Sequence, residues 1–236
     1  MQVLNYFDNF FVSVYKYLNS NMYIMLSKNE AIIIDPHYYD DLDIFLKNNK
    51  IKKVFIILTH EHPDHISGTW WFLEKFECSI ICSSQCASRI VDKKYTRPIL
   101  ISFILEEEDK KHGTNLLEEF KKDYIWTTYR ADITYNDSFE YKWQGHIFDF
   151  IKAEGHSVGS SLVILDKKYV FSGDSILKDY PVIISFPTSN KTEFLNRTLP
   201  LFEKTLSPDM TIFPGHGEPF MLSEIMKGGN INVEFR

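Results

Sequence analysis

His60-Glu61-His62-Pro63-Asp64-His65 follows an apolar run at residues 54–58 that predicts a buried β-strand. Five of its six side chains are imidazoles or carboxylates, which are ligands suited to zinc, iron or manganese. Four of the five are the candidate ligands His60, His62, Asp64 and His65. So many ligand groups in one short stretch are not explained by core packing. The stretch therefore predicts a metal site at the end of a strand.

Three later motifs lie just beyond predicted strands in the same way. They are Gly155-His156-Ser157, Ser172-Gly173-Asp174 and Gly215-His216-Gly217. Together with the first stretch they contain five of the eight histidines, so the histidines are not scattered at random. Loops at one edge of a sandwich can bring such distant side chains together. We therefore expect the motifs to meet at one metal site.

Apolar runs separated by polar turns indicate strands and helices along the whole chain. Strands are predicted at residues 22–26, 31–34, 54–58, 79–82, 133–135, 139–143, 146–151, 161–165, 169–171 and 210–213, and helices at 39–48, 66–76 and 191–206. Strands and helices alternate in the first third, which implies a sandwiched α/β sheet, and the later strands build a second sheet. Because no repeat or linker interrupts the pattern, we expect residues 1–236 to form one domain, with Gly228-Gly229 in a flexible tail.

Residues 92–130 are charge-dense, with eight basic and eight acidic side chains and therefore no net charge. Apolar residues at 99–105 and 116–120 indicate short amphipathic elements within this segment. We interpret it as an insertion that acts as a lid or substrate wall, because 91 positions separate His65 from His156. The alternative is that it only packs on the surface or makes a dimer contact.

The composition excludes several classes of protein. The 236 residues are 44% apolar and include 19 Phe, 13 Tyr and 4 Trp, which excludes disorder. A net charge of −6 without an obvious basic patch disfavours nucleic-acid binding. No apolar run approaches the roughly 20 residues of a membrane span, and residues 1–8 lack the basic start of a secretory signal. We expect a cytoplasmic protein that acts on a small molecule; the oligomeric state stays open, with a homodimer as one option.

In this order, the motifs resemble the signature of the metallo-β-lactamase superfamily. That signature is a strand-end Asp, His-x-His-x-Asp-His, a lone His, an Asp and a last His. Asp35 matches the first element, and the four motifs described above match the others over about residues 23–219. The resemblance implies a four-layer αββα sandwich that holds two metals. It assigns His60, His62 and His156 to one metal and Asp64, His65 and His216 to the other, with Asp174 as the bridge.

Two cations held roughly 3.5 to 4 Å apart can share a hydroxide at neutral pH and polarise a carbonyl or phosphoryl oxygen. Zinc is the first expectation, with iron or manganese as alternatives. Catalytic roles are expected for Asp64, which would orient the nucleophile, and for Asp35, which would hold a ligand imidazole from behind the metals. The alternative for Asp35 is a plain turn acid before Pro36.

Differences from individual subfamilies narrow the function. Flavodiiron oxygen reductases have Glu where this chain has His62, which favours hydrolysis over di-iron redox chemistry. Secreted β-lactamases need an export signal, and a tRNA-processing ribonuclease would want a basic surface. Glyoxalase II carries a long helical domain after its last His, whereas 20 residues follow His216 here. The resemblance therefore implies a glyoxalase II-like catalytic domain without the C-terminal glutathione-binding domain, which cleaves a small-molecule ester, thioester, lactone or phosphoester bond.

Two other kinds of function stay open at this point. A mononuclear iron oxygenase of the persulfide dioxygenase type needs only two His and one Asp, and those relatives keep the remaining residues without using them as ligands. A binding protein without metal is disfavoured because no ligand position is substituted. The metal content discriminates among the three: two equivalents, one iron, or none.

Other reactive side chains are expected to be structural. Cys78, Cys82 and Cys86 are interpreted as buried thiols, since three thiolates without a fourth soft ligand rarely form a metal site. His37, His112 and His146 lack ligand spacing and are expected at the surface or in turns, although His37 could face the cleft after Asp35-Pro36. The serines near His156, namely Ser157, Ser160 and Ser161, are expected to bond turns and backbone rather than act as nucleophiles.

Overall fold

The computed structural model describes residues 2–228, 230, 231 and 235, so the predicted glycine tail lies partly outside it, because Gly229 is not among them. The first sheet contains seven strands. They are β1 (Gln2–Val3), β2 (Phe10–Val14), β3 (Asn21–Ser27), β4 (Glu30–Ile34), β5 (Lys53–Ile57), β6 (Glu77–Ser83) and β7 (Ile133–Tyr135), and they lie in this order across the sheet. Neighbours from β1 to β4 are antiparallel, whereas those from β4 to β7 are parallel.

Parallel neighbours need a crossover connection, which helices supply. The helices are α1 (Leu42–Asn48), α2 (Pro63–Ile66), α3 (Thr69–Lys75), α4 (Ser84–Ile90), α5 (Ile99–His112), α6 (Leu116–Asp123), α7 (Lys191–Glu193) and α8 (Leu199–Thr205). A π-helical turn, Phe194–Thr198, joins α7 to α8, and a 3-10 turn occupies Leu222–Ile225. The crossover from β5 to β6 consists of α2 and α3, and it begins with the first ligand stretch.

The second sheet contains six strands in the order β13-β12-β11-β10-β9-β8. They are β8 (Ser138–Trp143), β9 (His146–Lys152), β10 (Ser161–Leu165), β11 (Tyr169–Gly173), β12 (Thr211–Pro214) and β13 (Phe220–Met221). Only β11 and β12 are parallel, and the segment with α7 and α8 connects them. A separate two-stranded ribbon pairs β14 (Met226–Lys227) with β15 (Asn230–Ile231).

The core forms three apolar layers, which explains why β5 is a continuous apolar run. Phe55 and Ile57 point to the space between the two sheets, where they join residues of the second sheet such as Phe171. Val54 and Ile56 point the other way and pack beneath α1, α3 and α4. A third cluster packs α8 and the π-helical turn on the outer face of the second sheet. The predicted four-layer αββα sandwich is therefore confirmed.

The charge-dense segment at residues 92–130 contains a helical hairpin made of α5 and α6. Phe120 of α6 is buried with Ile101 and Leu105 of α5 against Tyr15 and Tyr17, which follow β2. Lys16 and Tyr17 also bond the carboxylate of Asp123, at 2.7 and 2.6 Å. The hairpin thus packs on the loop between β2 and β3. Its role as a lid or wall stays a prediction.

Three features differ from the expectations. Strands β1 and β2 extend the first sheet before residue 21, where no strand was predicted. The single helix expected at residues 66–76 is two helices, because the Gly68 amide donates to the carbonyl oxygen of Pro36 at 2.8 Å instead of to the preceding helical turn. Glycine is needed there, since a Cβ would approach the His37 carbonyl carbon to 2.4 Å. The prediction of a surface or turn position for His37 is wrong, since its side chain is 1% exposed and lies 2.9 Å from Ser13 Oγ.

The other two histidines and the cysteines lie close to expectation. His112 is exposed at the end of α5, and His146 is partly exposed at the start of β9, 2.6 Å from Asp166. Cys82 and Cys86 are buried and Cys78 is partly buried, and all three are free thiols. Among the described residues, no helix combines the length and apolar character that crossing a bilayer requires.

Candidate metal centre

The ligand motifs meet at one edge of the sandwich because each follows or precedes a strand that ends there. His60 comes three residues after β5, and α2 begins at Pro63, whose fixed φ suits the first position of a helix. Asp174 directly follows β11, and His216 follows the neighbouring parallel strand β12. Gly215 allows these two to come close, since a Cβ there would lie 2.1 Å from Asp174 Oδ1.

His60, His62 and His156 form the first cluster, called the three-histidine cluster below. One ring nitrogen from each lies within 4.8 Å of the others. His156 Nε2 is 2.9 Å from His62 Nδ1. His156 Nδ1 donates to the carbonyl oxygen of Ile183 at 2.8 Å, which turns Nε2 toward the cluster.

Asp64, His65 and His216 form the second cluster, called the carboxylate cluster below, and their ligand atoms meet the same 4.8 Å limit. Asp64 Oδ2 is 3.3 Å from His65 Nε2 and 3.5 Å from His216 Nε2. Asp174 lies between the two clusters, since its Oδ2 is 3.4 Å from His156 Nε2 and 3.5 Å from His216 Nε2. The structure therefore brings all seven predicted ligands together.

The histidines of the three-histidine cluster are held neutral. Burial lowers the pKa of His60 well below its usual range, and the positive charge of His65 adds to this effect. Burial and the neighbouring His156 lower the pKa of His62 to about 3. Burial also lowers the pKa of His156, although Asp174 opposes the shift. Neutral imidazoles are the form that binds metal.

The carboxylate cluster behaves in the opposite way. Burial alone would lower the pKa of His65, but the carboxylates of Asp64 and Asp174 hold it well above its usual range. The same competition raises the pKa of His216 to about 10, with Asp174 as the main opposing charge. In return, the imidazolium groups overcome burial and hold the pKa of Asp64 and of Asp174 well below the usual range. Near neutral pH, the histidines of this cluster are therefore protonated and its carboxylates are ionised.

Asp35 sits behind the clusters and orients two of their members. Its Oδ2 lies 2.9 Å from His65 Nδ1 and accepts a hydrogen bond from Thr59 Oγ1 at 2.6 Å, while Oδ1 accepts from the Thr59 amide at 2.8 Å. Thr59 Oγ1 is in turn 3.0 Å from His60 Nδ1. Asp35 adopts a left-handed φ of 54°, a conformation that Asp tolerates better than most residues. Its distances to His60 and His65 would also suit a ligand, but its oxygens are already engaged by Thr59 and His65.

The donor set suits two divalent cations. His60 Nε2, His65 Nε2 and Asp174 Oδ1 are buried without a hydrogen-bond partner, which is costly in a protein interior unless another group satisfies them. The contacts of His65 Nε2 with Asp64 and Asp174, at 3.3 and 3.4 Å, are ion contacts rather than well-formed hydrogen bonds. Three nitrogens on one side and a mixed set of oxygen and nitrogen on the other match the ligand preferences of zinc, iron and manganese.

Residues 175–190, between β11 and α7, include side chains that contact the ligand histidines, and this stretch is called the mouth segment. Phe186 packs edge-on against His62 and His156, with ring centroids 5.4 and 5.6 Å apart. Thr188 Oγ1 is 3.5 Å from His62 Nε2, and the Tyr180 ring centroid is 6.5 Å from that of His216. The sequence analysis missed these residues because they carry no motif. Their position directly after Asp174 was the feature of the sequence that could have indicated their place near the metal centre.

The helical hairpin reaches the flank of the centre rather than its mouth. The end of α6, the loop at residues 14–17 and residues 37–40 line a cavity of about 580 Å³, together with Ser67 and Trp70. Ser67 follows α2 and donates to the carbonyl oxygen of Asp64 at 3.5 Å. Burial is the main cause of the raised pKa of Tyr124, and the charge of Asp64 contributes to it. This flank cavity therefore lies beside the carboxylate cluster.

The serines near His156 make turn and side-chain contacts. The Ser157 amide donates to Ser160 Oγ at 3.1 Å, and Ser157 Oγ bonds the carboxylate of Glu61 at 2.9 Å. Ser161 Oγ lies 3.5 Å from the carbonyl oxygen of Gly159. The hydroxyls are thus engaged with their own turn and with Glu61, as expected for structural serines.

Comparison with known proteins assigns the family. A sequence profile of the metallo-beta-lactamase superfamily matches residues 15–216, which is most of the chain and includes all seven ligand positions. The chain belongs to the metallo-beta-lactamase superfamily.

Curated relatives match over shorter stretches. A hydroxyacylglutathione hydrolase of Francisella philomiragia is 37% identical over 81 residues, which is 34% of this chain and 30% of that protein. Hydroxyacylglutathione hydrolase 1 of Vibrio vulnificus is 37% identical over 59 residues, 25% of this chain and 24% of the relative. The matched stretches thus span less than a third of the length of these relatives.

Solved structures share the fold at low sequence identity. The BLEG-1 B3 metallo-beta-lactamase superimposes with a TM-score of 0.67 at 22% identity, covering 92% of this chain and 96% of that one. ETHE1 from Myxococcus xanthus gives 0.64 at 17% identity, with 91% and 80% covered. TTHA1623, solved in a di-iron-bound form, gives 0.64 at 18% identity, with 90% and 95% covered. These similarities concern the fold alone.

Proposed function

We propose that this protein is a metal-dependent hydrolase that uses two divalent cations, with zinc as the first expectation, to cleave a small-molecule ester or thioester bond. The observation that carries the proposal is the pair of ligand clusters joined by Asp174. The carboxylate cluster supplies a second complete ligand set beside the three-histidine cluster, which is what two-cation catalysis requires. The three-histidine cluster would hold one cation and the carboxylate cluster the other.

The protein's own side chains have separate tasks in this proposal. Two cations at adjacent clusters would supply an activated water and polarise the scissile group. We assign to Asp64 the orientation of the attacking water, because its Oδ2 lies between the buried His65 and the partly exposed His216. Asp35 holds His65 and, through Thr59, His60 by their Nδ1 atoms, which would leave both Nε2 atoms available to a cation.

Thioesters are the substrate class that the relatives favour. The curated relatives at 37% identity are named hydroxyacylglutathione hydrolases, so a hydroxyacylglutathione is the first thioester to test. The match covers only part of those proteins, and simple esters, lactones and phosphodiesters therefore belong in the same screen. One-iron dioxygenase chemistry is the alternative that the metal count decides.

We also propose that the substrate is held by the mouth segment, and that residues 92–130 form only an outer wall through the flank cavity. Support comes from the contacts of Phe186 and Tyr180 with the histidines of the two clusters. Apolar walls with a few polar groups are typical of small-molecule sites. Tyr124 reaches the flank cavity from the insertion instead.

The test combines metal analysis with a hydrolysis screen. Protein purified without chelator is expected to contain about two equivalents of metal and to hydrolyse at least one substrate class. Phe186→Ala and Tyr180→Ala are expected to raise KM about tenfold, roughly the loss of one apolar contact. Tyr124→Ala serves as the matched control and is expected to change KM by less than about twofold.

The outcomes separate the alternatives. One equivalent of iron with oxygen consumption would replace the hydrolase by the dioxygenase. Two equivalents without hydrolysis of any class would end the proposed function. A larger KM effect for Tyr124→Ala than for Phe186→Ala would mean that the insertion, and not the mouth segment, contacts the substrate. In that case, replacing residues 94–128 by a short Gly/Ser linker would raise KM further and leave metal binding unchanged.

A further inference from the structure

Glu61 lies in the middle of the first ligand stretch but turns away from the metal centre. Its side chain is 1% exposed, and its Oε2 accepts a hydrogen bond from Ser157 Oγ at 2.9 Å. Glu61 is flanked by His60 and His62, and Ser157 follows His156 directly. The hydrogen bond therefore ties together the two segments that supply the three-histidine cluster.

The surroundings of the Glu61 carboxylate are shaped to hold it there. Gly159 leaves it room, because a Cβ at that position would lie 2.2 Å from Glu61 Oε2 and 2.7 Å from the Cα of Cys86. Ser160 Oγ accepts from the Ser157 amide at 3.1 Å and lies 2.9 Å from Ser157 Oγ, which fixes that hydroxyl. Burying a carboxylate is unfavourable unless it gains partners. We therefore expect Glu61 to have a structural or functional role that offsets this cost.

The hydrogen bond between Glu61 and Ser157 would become more important when a cation is bound. The contact between His156 Nε2 and His62 Nδ1, at 2.9 Å, joins the two segments as they stand. Two nitrogens that both direct a lone pair at one cation cannot also hydrogen-bond each other. The segments are then still joined by the backbone bond from the Ser161 amide to the Thr59 carbonyl, at 2.9 Å, and by the Glu61–Ser157 bond. Of these two, the side-chain bond is adjacent in sequence to the ligands themselves.

We propose that Glu61 is a positioning residue that acts through Ser157 to fix His156 relative to His60 and His62, and so sets the cation affinity of the three-histidine cluster. The inference rests on the metal binding of the proposed function, but not on which bond is cleaved. Residues behind metal ligands change metal affinity by roughly 10- to 100-fold when altered. Glu61 is not a catalytic residue, because its carboxylate points away from the reacting atoms.

The experiment measures stepwise Co²⁺ binding by competition with a chelator, together with the visible spectrum of each bound ion. Glu61→Met keeps the length of the side chain but cannot accept the hydrogen bond, and we expect it to weaken the three-histidine cluster by roughly 10- to 100-fold and alter its spectrum. Ser157→Ala is expected to do the same. Glu61→Gln keeps an acceptor for Ser157 and is expected to stay within about threefold of the wild type. Cys86→Ala removes a buried group beside Gly159 without touching the bond and serves as the matched control.

A coupling measurement separates positioning from general structural damage. If the bond itself is the device, Glu61→Met with Ser157→Ala should weaken binding no more than the stronger single variant, because both remove one interaction. Additive losses, or an equal loss in Cys86→Ala, would overturn the inference. So would wild-type affinity and spectrum in Glu61→Met, or in Ser157→Ala if Glu61→Met does not fold. A wild type that binds metal but hydrolyses nothing ends the proposed function only, whereas one that binds no metal overturns both.

Discussion

The three-histidine cluster and the carboxylate cluster lie side by side and share Asp174, yet their proton affinities are opposite. Burial lowers the pKa of His60, His62 and His156, so the first cluster is neutral near pH 7. In the second cluster, the carboxylates hold the pKa of His65 well above its usual range and raise that of His216 to about 10. The two neighbouring sites therefore differ in protonation state before a cation binds.

In the proposed two-cation centre, this difference would set the order in which the cations bind. A cation that enters the three-histidine cluster meets neutral imidazoles, so its binding releases no net proton from them. A cation that enters the carboxylate cluster must displace protons from His65 and His216, so its affinity depends on pH. We therefore expect the first cluster to fill first and the second to fill more completely as pH rises.

The largest expected effect comes from deleting one ligand from each cluster. His60→Ala and His216→Ala should each lower hydrolysis by roughly 10³-fold or more, because both cations act on the same bond. His60→Ala should also lose at least one equivalent of metal, whereas His216→Ala should keep the cation of the three-histidine cluster. Metal analysis, turnover and circular dichroism would show the losses without unfolding. Near-full turnover in His216→Ala, or in Asp64→Asn, would make the second cluster irrelevant and favour one-metal chemistry.

A second effect, at least about 100-fold, is expected from pH alone. At pH 6 to 8 the raised pKa of His216, about 10, keeps it protonated in the metal-free centre, so cation binding must release that proton. Release of the His216 proton alone makes the apparent affinity rise about tenfold per pH unit, hence about 100-fold from pH 6 to pH 8, and release of the His65 proton makes the rise steeper. The three-histidine cluster should change by less than about threefold, since its lowered pKa values leave no proton to displace. If Zn²⁺ titrations showed the same dependence of affinity on pH for both sites, the expected difference in protonation between the two clusters would be wrong.

The fold and the convergence of the candidate ligands could be predicted because both depend on order along the chain. The apolar run of β5 places His60 and His62 at a strand end, and the neighbouring ends of β11 and β12 place Asp174 and His216 at the same edge. Strand ends of one sandwich edge converge whatever the intervening residues are. The motif order was therefore sufficient to predict the sandwich.

The electrostatic difference and the mouth could not be predicted from motifs. The histidines of both clusters have the same intrinsic pKa, and only burial together with the placement of Asp64 and Asp174 separates their pKa values in the folded protein. Phe186, Tyr180 and Glu61 belong to no ligand pattern, and their roles depend on where a loop folds in space. His37 was misplaced because its neighbours Pro36 and Tyr38 gave no sign that its backbone would pack against Gly68 and its side chain against Ser13.

Asp35 offers a way to sharpen the comparison, with an expected effect of roughly 10- to 100-fold on the affinity of the carboxylate cluster. Asp35→Asn keeps a residue that tolerates the φ of 54° but weakens the bond to His65 Nδ1. Asp166→Asn is a matched control, because Asp166 also has a positive φ and lies 2.6 Å from a histidine, His146, outside the centre. Chelator competition should show a loss for Asp35→Asn only. Equal metal affinity in the two variants would mean that Asp35 only stabilises the turn before Pro36 and does not orient His65.

The smallest expected effect, about 1.4 kcal/mol of unfolding free energy, tests whether burial alone produces the neutral state seen in the first cluster. His37 is buried outside both clusters, and burial, followed by the charge of His65, lowers its pKa from 6.5 to about 3. The folded protein therefore binds this proton more weakly than the unfolded chain does, and stability is lost as pH falls below about 6.5 toward about 3. Between pH 7.5 and 5.5, the wild type should lose about 1.4 kcal/mol more than His37→Gln, which stays uncharged. Urea unfolding of metal-free protein at the two pH values measures the difference, with the exposed His112→Gln as control. Equal losses in the wild type and His37→Gln would mean that this buried site tolerates a charged imidazole, and that burial alone does not explain the neutral histidines of the three-histidine cluster.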